Sequence, residues 1–283
     1  MAEYKRVEGF EFKDIVYEKK PGVARVTINR PEAYNAFTTY TQTELIEALE
    51  DAANDATIGV VVLTGAGDKA FCTGGDAKEA KAGYRVGMLE NDLRVKTLIR
   101  EMPKPVIAAV NGYAIGGGHV YQQLCDLSIA SENAVFGQAG PMVGSFDPGM
   151  GVIDLMSVVG EKKAKEIWYL CRRYTAKEAL EMGLVNRVVP QDKLEGEVDK
   201  WCDEILEKSP GAIVGLKMAF NAATTYMRGI EEVSSRYLWK YYATEEAEHW
   251  KKSFWEKKKP EWQRFRRKEI FPGVYEEEEK KES

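Results

Sequence analysis

The stretch Val106-Ile-Ala-Ala-Val-Asn-Gly-Tyr-Ala-Ile-Gly-Gly-Gly-His119 joins a continuous apolar run to three consecutive glycines. A short run of this kind is typical of a β-strand that is covered on both faces, as in a parallel sheet. Similar runs at residues 59–63 and 127–130 alternate with helical patterns at residues 89–102 and 119–125. This alternation predicts an α/β domain with largely parallel strands.

The flanking sequence predicts a β-hairpin at residues 14–29, turning at Lys20-Pro21-Gly22, and an amphipathic helix at residues 41–53. From about residue 161 helical periodicity dominates, with a brief apolar stretch at 185–189. We expect a core at residues 1–190, a C-terminal helical region at 191–270 and a charged, disordered tail at 271–283. Helices are predicted at residues 164–174, 176–182, 194–208, 212–225 and 230–252.

Composition excludes several classes of protein. Of the 283 residues, 44% are hydrophobic and 30% charged, which is the balance of an ordinary globular protein. The net charge of −5 argues against nucleic acid or an anionic membrane as a partner. No apolar run approaches the roughly 20 residues of a membrane span. The four dispersed cysteines and the absence of a hydrophobic leader indicate a cytoplasmic protein. With two histidines, no His-rich metal site is expected.

Two glycine-rich loops follow predicted strands, one at Phe71-Cys-Thr-Gly-Gly-Asp76 and the other at residues 111–119. Ligands of open α/β sheets bind at the carboxyl ends of strands, where glycine lets the backbone approach closely. A helix that begins at three glycines adds the positive end of its dipole. Two such loops that converge would form an oxyanion hole with two N–H donors. The alternative is that the glycines only permit tight turns.

These loops carry a family resemblance when they are read together with Arg30-Pro-Glu-Ala-Tyr-Asn-Ala-Phe37. In this order and spacing they resemble the crotonase (enoyl-CoA hydratase/isomerase) superfamily over about residues 12–262. The resemblance implies a spiral of ββα units with a C-terminal helical trimerisation region, assembled as a trimer or a homohexamer built as a dimer of trimers. It also implies an acyl-CoA substrate and no tightly bound organic cofactor.

The resemblance also assigns roles at the glycine loops. The backbone N–H groups of Gly75 and Gly117 would hold the thioester oxygen of the acyl-CoA as it becomes an enolate. Gly74, Asp76 and the segment around Ala36 would contact the CoA. Basic residues among 251–268 would meet its phosphates.

The side chains decide the reaction within such a superfamily. Hydratases of this fold use two glutamates, and the matching positions here are Val120 and Gly140. Without these carboxylates, addition of water to a double bond has no obvious acid or base. Residues 136–149, 166–174 and 178–186 instead resemble two related branches, the 1,4-dihydroxy-2-naphthoyl-CoA synthases and the 2-ketocyclohexanecarboxyl-CoA hydrolases. The first closes a ring by a Dieckmann step, and the second opens a cyclic β-keto thioester.

The resemblance to these branches names four catalytic candidates. Ser145 and Asp147 match a catalytic Ser-x-Asp pair, in which Asp147 would hydrogen-bond or protonate the ring carbonyl. The alternative for Asp147 is a helix N-cap. Tyr84 matches a tyrosine of a mobile loop, and Tyr242 matches one that can reach a neighbouring subunit's site. For each tyrosine the alternative is a packing role.

An anion site is implied by Gln138, Gly140 and Trp168. They match the positions where some members of the branch hold bicarbonate in place of a missing carboxylate base. Gly140 would leave a space where a glutamate would otherwise stand, and Trp168 could equally be part of a helix core. The threonine expected beside them is Ala139, which weakens the prediction of bicarbonate or a similar anion.

The sequence favours ring opening over ring closure. Residues 77–84 contain no arginine that could clamp an extra substrate carboxylate. Asp147-Pro148-Gly149 resembles the hydrolases, although Gly144-Ser-Phe-Asp147 resembles the synthases. The synthase and an enoyl-CoA hydratase/isomerase remain the alternatives, and a non-catalytic or RNA-binding relative is disfavoured. His119 is expected to pack or cap rather than act as a base, and the aromatic stretch at 238–242 to meet another subunit.

Overall fold

Strands and helices alternate along the computed structural model, which describes residues 3–82, 87–147, 149–225, 237–238, 240–261 and 265. The strands are β1 (Lys5–Arg6), β2 (Ile15–Lys20), β3 (Gly22–Ile28), β4 (Ile58–Gly65), β5 (Ala70–Cys72), β6 (Val106–Val110), β7 (Tyr113–Ile115), β8 (Leu127–Ser131), β9 (Val135–Gly137), β10 (Tyr174–Thr175) and β11 (Arg187–Val189). The α-helices are α1 (Thr39–Asn54), α2 (Ala77–Ala82), α3 (Met88–Glu101), α4 (Gly117–Leu124), α5 (Met150–Val159), α6 (Glu161–Leu170), α7 (Ala176–Glu181), α8 (Leu194–Leu206), α9 (Pro210–Thr225) and α10 (Glu245–Trp255).

The strands form two sheets. The larger has the order β1-β2-β3-β4-β6-β8-β11, and the smaller has the order β10-β9-β7-β5. In the larger sheet β1, β2 and β3 pair antiparallel, whereas every pair from β3 to β11 is parallel. In the smaller sheet β5, β7 and β9 are parallel, and β10 is antiparallel to β9.

Each ββα unit divides its strands between the two sheets. The sequences β4–β5–α2, β6–β7–α4 and β8–β9–α5 each place one strand in the larger sheet, the next in the smaller sheet, and then a helix. The predicted α/β class and the predicted repetition of ββα units are therefore confirmed. Because β5 and β7 are parallel neighbours, the loops after them leave from the same edge.

Alternation along β4 gives the larger sheet two buried faces. Val60 and Val62 pack in one hydrophobic cluster with Leu194 and Val198 of α8. Val61 and Leu63 alternate with them along the strand and belong to the main core, which also contains the apolar side of α1. Side chains of a strand alternate between its faces, so a continuous apolar run is required where both faces are covered. Helix α8 is thus part of the core packing, although it follows the predicted boundary at residue 190.

The structure corrects two predicted helices. The helix predicted at residues 164–174 ends at Leu170, and Tyr174 pairs with Phe136 as the start of β10. The prediction of one helix over residues 230–252 is also wrong in its C-terminal part, because α10 is a separate helix. Its N-cap, Thr244, accepts a hydrogen bond from the N–H of Ala247, and capping residues of this type start helices.

The ends of the other predicted elements agree with the structure to within about two residues. Residues 226–236, Trp239 and the predicted tail at 271–283 lie outside the described residues, and so does Tyr84. Across the part of the chain that the structure describes, every helix is too short or too polar to span a bilayer.

Candidate active site

The two glycine loops touch at the ends of β5 and β7. Gly74 has a φ of +88°, a conformation that side chains rarely adopt. A Cβ at this position would lie 2.9 Å from the backbone nitrogen of Gly117. Glycine at 74 is therefore required both by the turn and by the close approach of the second loop.

The predicted oxyanion donors are the N–H groups of Gly75 and Gly117. The N–H of Phe37 donates to the Gly74 carbonyl at 2.9 Å, and the N–H of Asp76 donates to the Phe37 carbonyl at 2.8 Å. These two bonds flank Gly75 without using its N–H. Gly117 is the first residue of α4, where a helix leaves its N–H groups without an internal acceptor. Within the described ranges, neither N–H donates to a loop or turn carbonyl, so both suit a ligand oxygen.

Buried polar contacts shape the segment 30–37 beside these loops. Asn35 is fully buried in a left-handed conformation, and its amide donates to the Ala70 carbonyl at 2.7 Å and accepts from the N–H of Arg30 at 3.0 Å. The guanidinium of Arg30 pairs with Asp76 at 2.8 Å and also donates to the Ala36 carbonyl. Burial alone would raise the pKa of Asp76, but hydrogen bonds from Arg30 and from backbone N–H groups lower it overall. These contacts of Arg30 hold Ala36 and Asp76 against the glycine loops.

A cavity of about 740 Å³ brings the predicted site together. This volume lies within the range of small-molecule sites. The predicted Tyr84 lies outside the described residues. The predicted residues that line the cavity are Ala36, Gly74, Gly75, Asp76, Gly117, Gln138, Gly140, Ser145, Asp147, Trp168 and Tyr242.

Two hydroxyl groups form a pair on the cavity wall. The Oγ of Ser145 and the phenol oxygen of Tyr242 are 2.6 Å apart. The sequence resemblance expects Tyr242 to reach a neighbouring subunit's site, but here it contacts Ser145 of its own chain. Leu238 is buried and Tyr241 packs on Phe146, with ring centroids 5.2 Å apart. The described members of the aromatic stretch therefore also pack within the chain.

Asp147 is held by contacts on both of its carboxylate oxygens. Its Oδ1 accepts hydrogen bonds from the N–H of Gly149 at 3.3 Å and of Gly151 at 3.1 Å, at the start of α5. Its Oδ2 contacts the ammonium of Lys96. The predicted alternative, a cap of the following helix, is thus one of its roles. The ion pair with Lys96 gives Asp147 a second role.

Asp92 and Lys96 on α3 were not found by the sequence reasoning. Lys96 is buried, lines the cavity, and contacts Asp92 as well as Asp147. Burial alone would lower the pKa of Lys96, but the charges of Asp147 and Asp92 outweigh it and keep this pKa above its ordinary value. One signal existed: Asp92, Lys96 and Ile99 are spaced i, i+4, i+7, which puts the lysine on the buried face of a helix.

The two positions of the hydratase glutamates offer no acid or base. Val120 is buried and lines the cavity as an apolar side chain. Glycine at 140 predicts a space where a glutamate would otherwise stand, but a Cβ at 140 would lie 2.6 Å from the Ser145 carbonyl oxygen. The backbone therefore fills the direction that a side chain at 140 would take. This removes the physical argument for an anion in the place of a missing glutamate.

The other residues of the predicted anion site are engaged within the protein. The indole N–H of Trp168 donates to the Gly151 carbonyl at 3.1 Å. The amide nitrogen of Gln138 lies 3.0 Å from Nδ1 of the buried His119. Burial, together with the charge of Arg173, lowers the pKa of His119 to about 3, so this imidazole is neutral. The presence of bicarbonate stays a prediction.

Cysteine and metal chemistry have little support at the site. Burial raises the pKa of the Cys72 thiol to about 12, which keeps the sulfur protonated in the oxyanion loop. Among the described residues, no group of three or more His, Cys, Asp or Glu side chains is arranged to hold a metal ion.

Comparisons with known proteins identify the family and the fold of the chain. Residues 18–265 match the family model described as enoyl-CoA hydratase/isomerase. An enoyl-CoA hydratase from Mycobacterium avium subsp. paratuberculosis K-10 is 31% identical, with a TM-score of 0.78 over 86% of this chain and 99% of that chain. An enoyl-CoA hydratase/isomerase from Xanthobacter autotrophicus Py2 is 34% identical, with a TM-score of 0.78 over 87% and 92%. A carnitinyl-CoA hydratase from Mycobacterium avium is 32% identical, with a TM-score of 0.79 over 89% and 98%.

Proposed function

The chain belongs to the enoyl-CoA hydratase/isomerase family of acyl-CoA enzymes, and from this premise we propose that it opens the ring of a cyclic β-keto acyl-CoA by hydrolysis. One observation carries the proposal. The Ser145–Tyr242 hydroxyl pair and the Asp147 carboxylate share a cavity with the Gly75 and Gly117 N–H groups. Such a cavity has polar groups both for a thioester oxygen and for a second carbonyl nearby.

The thioester is the first carbonyl. The N–H groups of Gly75 and Gly117 hold its oxygen as negative charge develops there. Losing one donor of this kind typically costs about 10²–10³ in rate. The dipole of α4, whose N-terminus is at Gly117, adds positive potential at the same place.

The ring ketone is the second carbonyl. One hydroxyl of the Ser145–Tyr242 pair donates to the ketone oxygen while it accepts from the other hydroxyl, and Asp147 takes a proton from the water that attacks the ketone carbon. The groups in contact with Asp147, which are the Lys96 ammonium and two backbone N–H groups, are all donors, so both carboxyl oxygens of Asp147 act as acceptors. We therefore propose Asp147 as a proton acceptor, whereas the sequence reading leaves open that it protonates the ring carbonyl.

The proposed reaction is balanced by one water molecule. The water oxygen bonds to the ketone carbon, and the bond from that carbon to the thioester α-carbon breaks. The electron pair of the broken bond becomes the thioester enolate. The proton held by Asp147 returns to the α-carbon, which leaves an open-chain CoA thioester with a new carboxyl group.

Ordinary hydration of an enoyl-CoA is the second candidate, because the similar solved structures carry hydratase names. Val120 and Gly140 weigh against it, since neither supplies a carboxylate at the positions used by hydratases. Ring closure stays an alternative, because it passes through the same thioester enolate.

The deciding experiment offers the purified protein 2-ketocyclohexanecarboxyl-CoA and crotonyl-CoA in separate assays followed by mass spectrometry. We expect the ring substrate to gain one water molecule and to become an open-chain CoA thioester with one free carboxyl group. We expect little conversion of crotonyl-CoA to the 3-hydroxy product. The proposal fails if crotonyl-CoA is hydrated at a substantial rate while the ring substrate is left intact.

A further inference from the structure

A single buried lysine lies between two carboxylates on the cavity wall. The ammonium of Lys96 contacts Oδ2 of Asp92, four residues earlier on α3, and Oδ2 of Asp147, which precedes α5. All three residues line the cavity. The cluster of these three residues has a net charge of −1 when both carboxylates are ionised.

Asp92 is held as firmly as Asp147. Its Oδ1 accepts hydrogen bonds from the phenol of Tyr121 at 2.9 Å and from the amide of Gln42 at 3.3 Å. Tyr121 and Gln42 are fully buried, and the amide nitrogen of Gln42 donates to the phenol oxygen of Tyr121 at 3.2 Å. Neutral donors from α1 and α4 thus fix one carboxylate, and N–H groups at the start of α5 fix the other.

The other titratable groups near the cluster are neutral or already paired. Arg100, one turn further along α3, pairs with Asp154 of α5 at 2.7 Å. Burial raises the pKa of the Cys72 thiol to about 12 and the pKa of the Tyr121 phenol above its ordinary value. Tyr242 lines the same cavity in contact with Ser145, and the ammonium of Lys251 lies over its ring, 5.0 Å from the ring centroid. Lys96 is therefore the cation in direct contact with Asp147, and Asp92 is the second carboxylate in contact with that cation.

We propose that Asp92 and Lys96 are positioning residues that act through Asp147, with Asp92 serving as the second partner that keeps Lys96 compensated while Asp147 carries a proton. This proposal rests on the proposed function in taking Asp147 as the proton acceptor. If Lys96 had only one partner, protonation of Asp147 would leave a buried ammonium unpaired, which is costly. The shared arrangement lets Asp147 gain and return a proton without that cost.

Two charge changes of opposite sign test the proposal. In Asp92→Asn, protonation of Asp147 leaves the Lys96 ammonium without an ionised partner. The acidic limb of the pH profile of kcat/KM should therefore move to lower pH by about one unit. Turnover at neutral pH should fall about tenfold or more. In Lys96→Met, two carboxylates face each other without a cation and hold a proton more tightly, so the limb should move to higher pH.

Two further variants complete this experiment. Lys96→Arg keeps the charge and should return the limb toward the wild-type position. Arg94→Met is the matched control, because Arg94 pairs with Glu50 on the exposed side of the same helix. It should leave the profile unchanged. Rate losses with no movement of the limb in either direction would overturn the proposal, because a merely structural role predicts that result.

A stability measurement tests the cluster without using the ring substrate. Asp92→Asn and Asp147→Asn each leave Lys96 one carboxylate, whereas the double variant leaves none. The fall in Tm of the double variant should exceed the sum of the two single falls. Additive falls would overturn the shared-cation proposal. The wild type could leave the ring substrate intact while the fall in Tm of the double variant still exceeds the sum of the single falls. In that case the proposed function fails, and the proposal that the two carboxylates share Lys96 holds.

Discussion

A Cβ on Gly74 would lie 2.9 Å from the backbone nitrogen of Gly117. The contact joins two loops that are more than forty residues apart in the chain, at the neighbouring ends of β5 and β7. Because a backbone atom lies on the far side, no change of rotamer could relieve a side chain at 74. The proposed oxyanion hole therefore depends on glycine at the point where its two loops meet.

Gly117→Ala should reduce activity more than stability. The new Cβ would lie 2.8 Å from Cζ of Phe37, so the ring or the loop must shift. Overpacking of this kind costs about 1–3 kcal/mol, and a displaced donor should lower kcat by about 10²–10³. The control is Gly196→Ala in α8, where no atom lies within 4 Å and alanine favours a helix. Wild-type kcat in Gly117→Ala would argue against this N–H as a donor.

Asp147→Asn should lower kcat by about 10²–10⁴, because the amide cannot accept the proton of water. KM should change much less, since the predicted CoA contacts lie elsewhere. The amide oxygen can still accept from Gly149 and Gly151, but Lys96 loses one carboxylate. Because Asp92 still pairs with Lys96, we expect a loss of stability of no more than about 1 kcal/mol in chemical denaturation. Retention of full activity on the ring substrate would leave Asp147 as a helix cap only.

Gly140→Glu should not convert the protein into a hydratase. A Cβ at 140 would lie 2.6 Å from the Ser145 carbonyl oxygen, and the backbone at Phe146 is close behind it. The expected result is a lower Tm and no gain in crotonyl-CoA hydration. A variant with unchanged Tm that hydrates crotonyl-CoA would show that this backbone yields easily.

Acid should destabilise the protein partly through His119. Burial and the charge of Arg173 lower its folded-state pKa to about 3, from 6.5 when exposed. The contribution of the neutral imidazole is fully present above about pH 6.5 and is lost as pH falls toward the folded-state pKa. The slope cannot exceed about 1.4 kcal/mol per pH unit for one proton. His119→Asn cannot bind that proton. Chemical denaturation of this variant should therefore show a smaller fall in the free energy of unfolding from pH 7 to pH 5 than in the wild type. An equal loss would contradict the assignment.

The exposed side of α9 predicts self-association. Leu216, Met218 and Phe220 are 58%, 67% and 75% exposed, while Lys217 points inward to Asp126 at 2.7 Å. Leu216 and Phe220 are four residues apart and share one face of the helix, and exposed large apolar side chains on one face typically mark an interface. We expect a trimer or a hexamer by light scattering at micromolar concentration.

Phe220→Glu should lower the measured mass of that assembly. The control is Lys200→Glu, a charge change at an exposed position of α8, which should not alter the mass. A wild-type protein that is monomeric at micromolar concentration would refute the predicted association.

The sequence by itself determined the α/β class, the position of most elements and the residues of the glycine loops. These features are local, because apolar runs, helical periodicity and glycine at strand ends are written in consecutive residues. The boundary errors, at Leu170 and at Thr244, arose where a pairing partner or a cap ended a helix whose apolar pattern continued.

Tertiary structure alone decided the charge environment of the site. Lys96 and Asp147 are separated by 51 residues, and no local pattern places an ammonium between Asp147 and Asp92. The blocked space beside Gly140 depends on the path of the backbone at Ser145, which the sequence does not reveal. In α9 the periodicity predicts a helix but not that its lysine would be buried and its large apolar side chains exposed. Burial depends on which surfaces meet across the fold, and that is a property of the assembled chain rather than of any one segment.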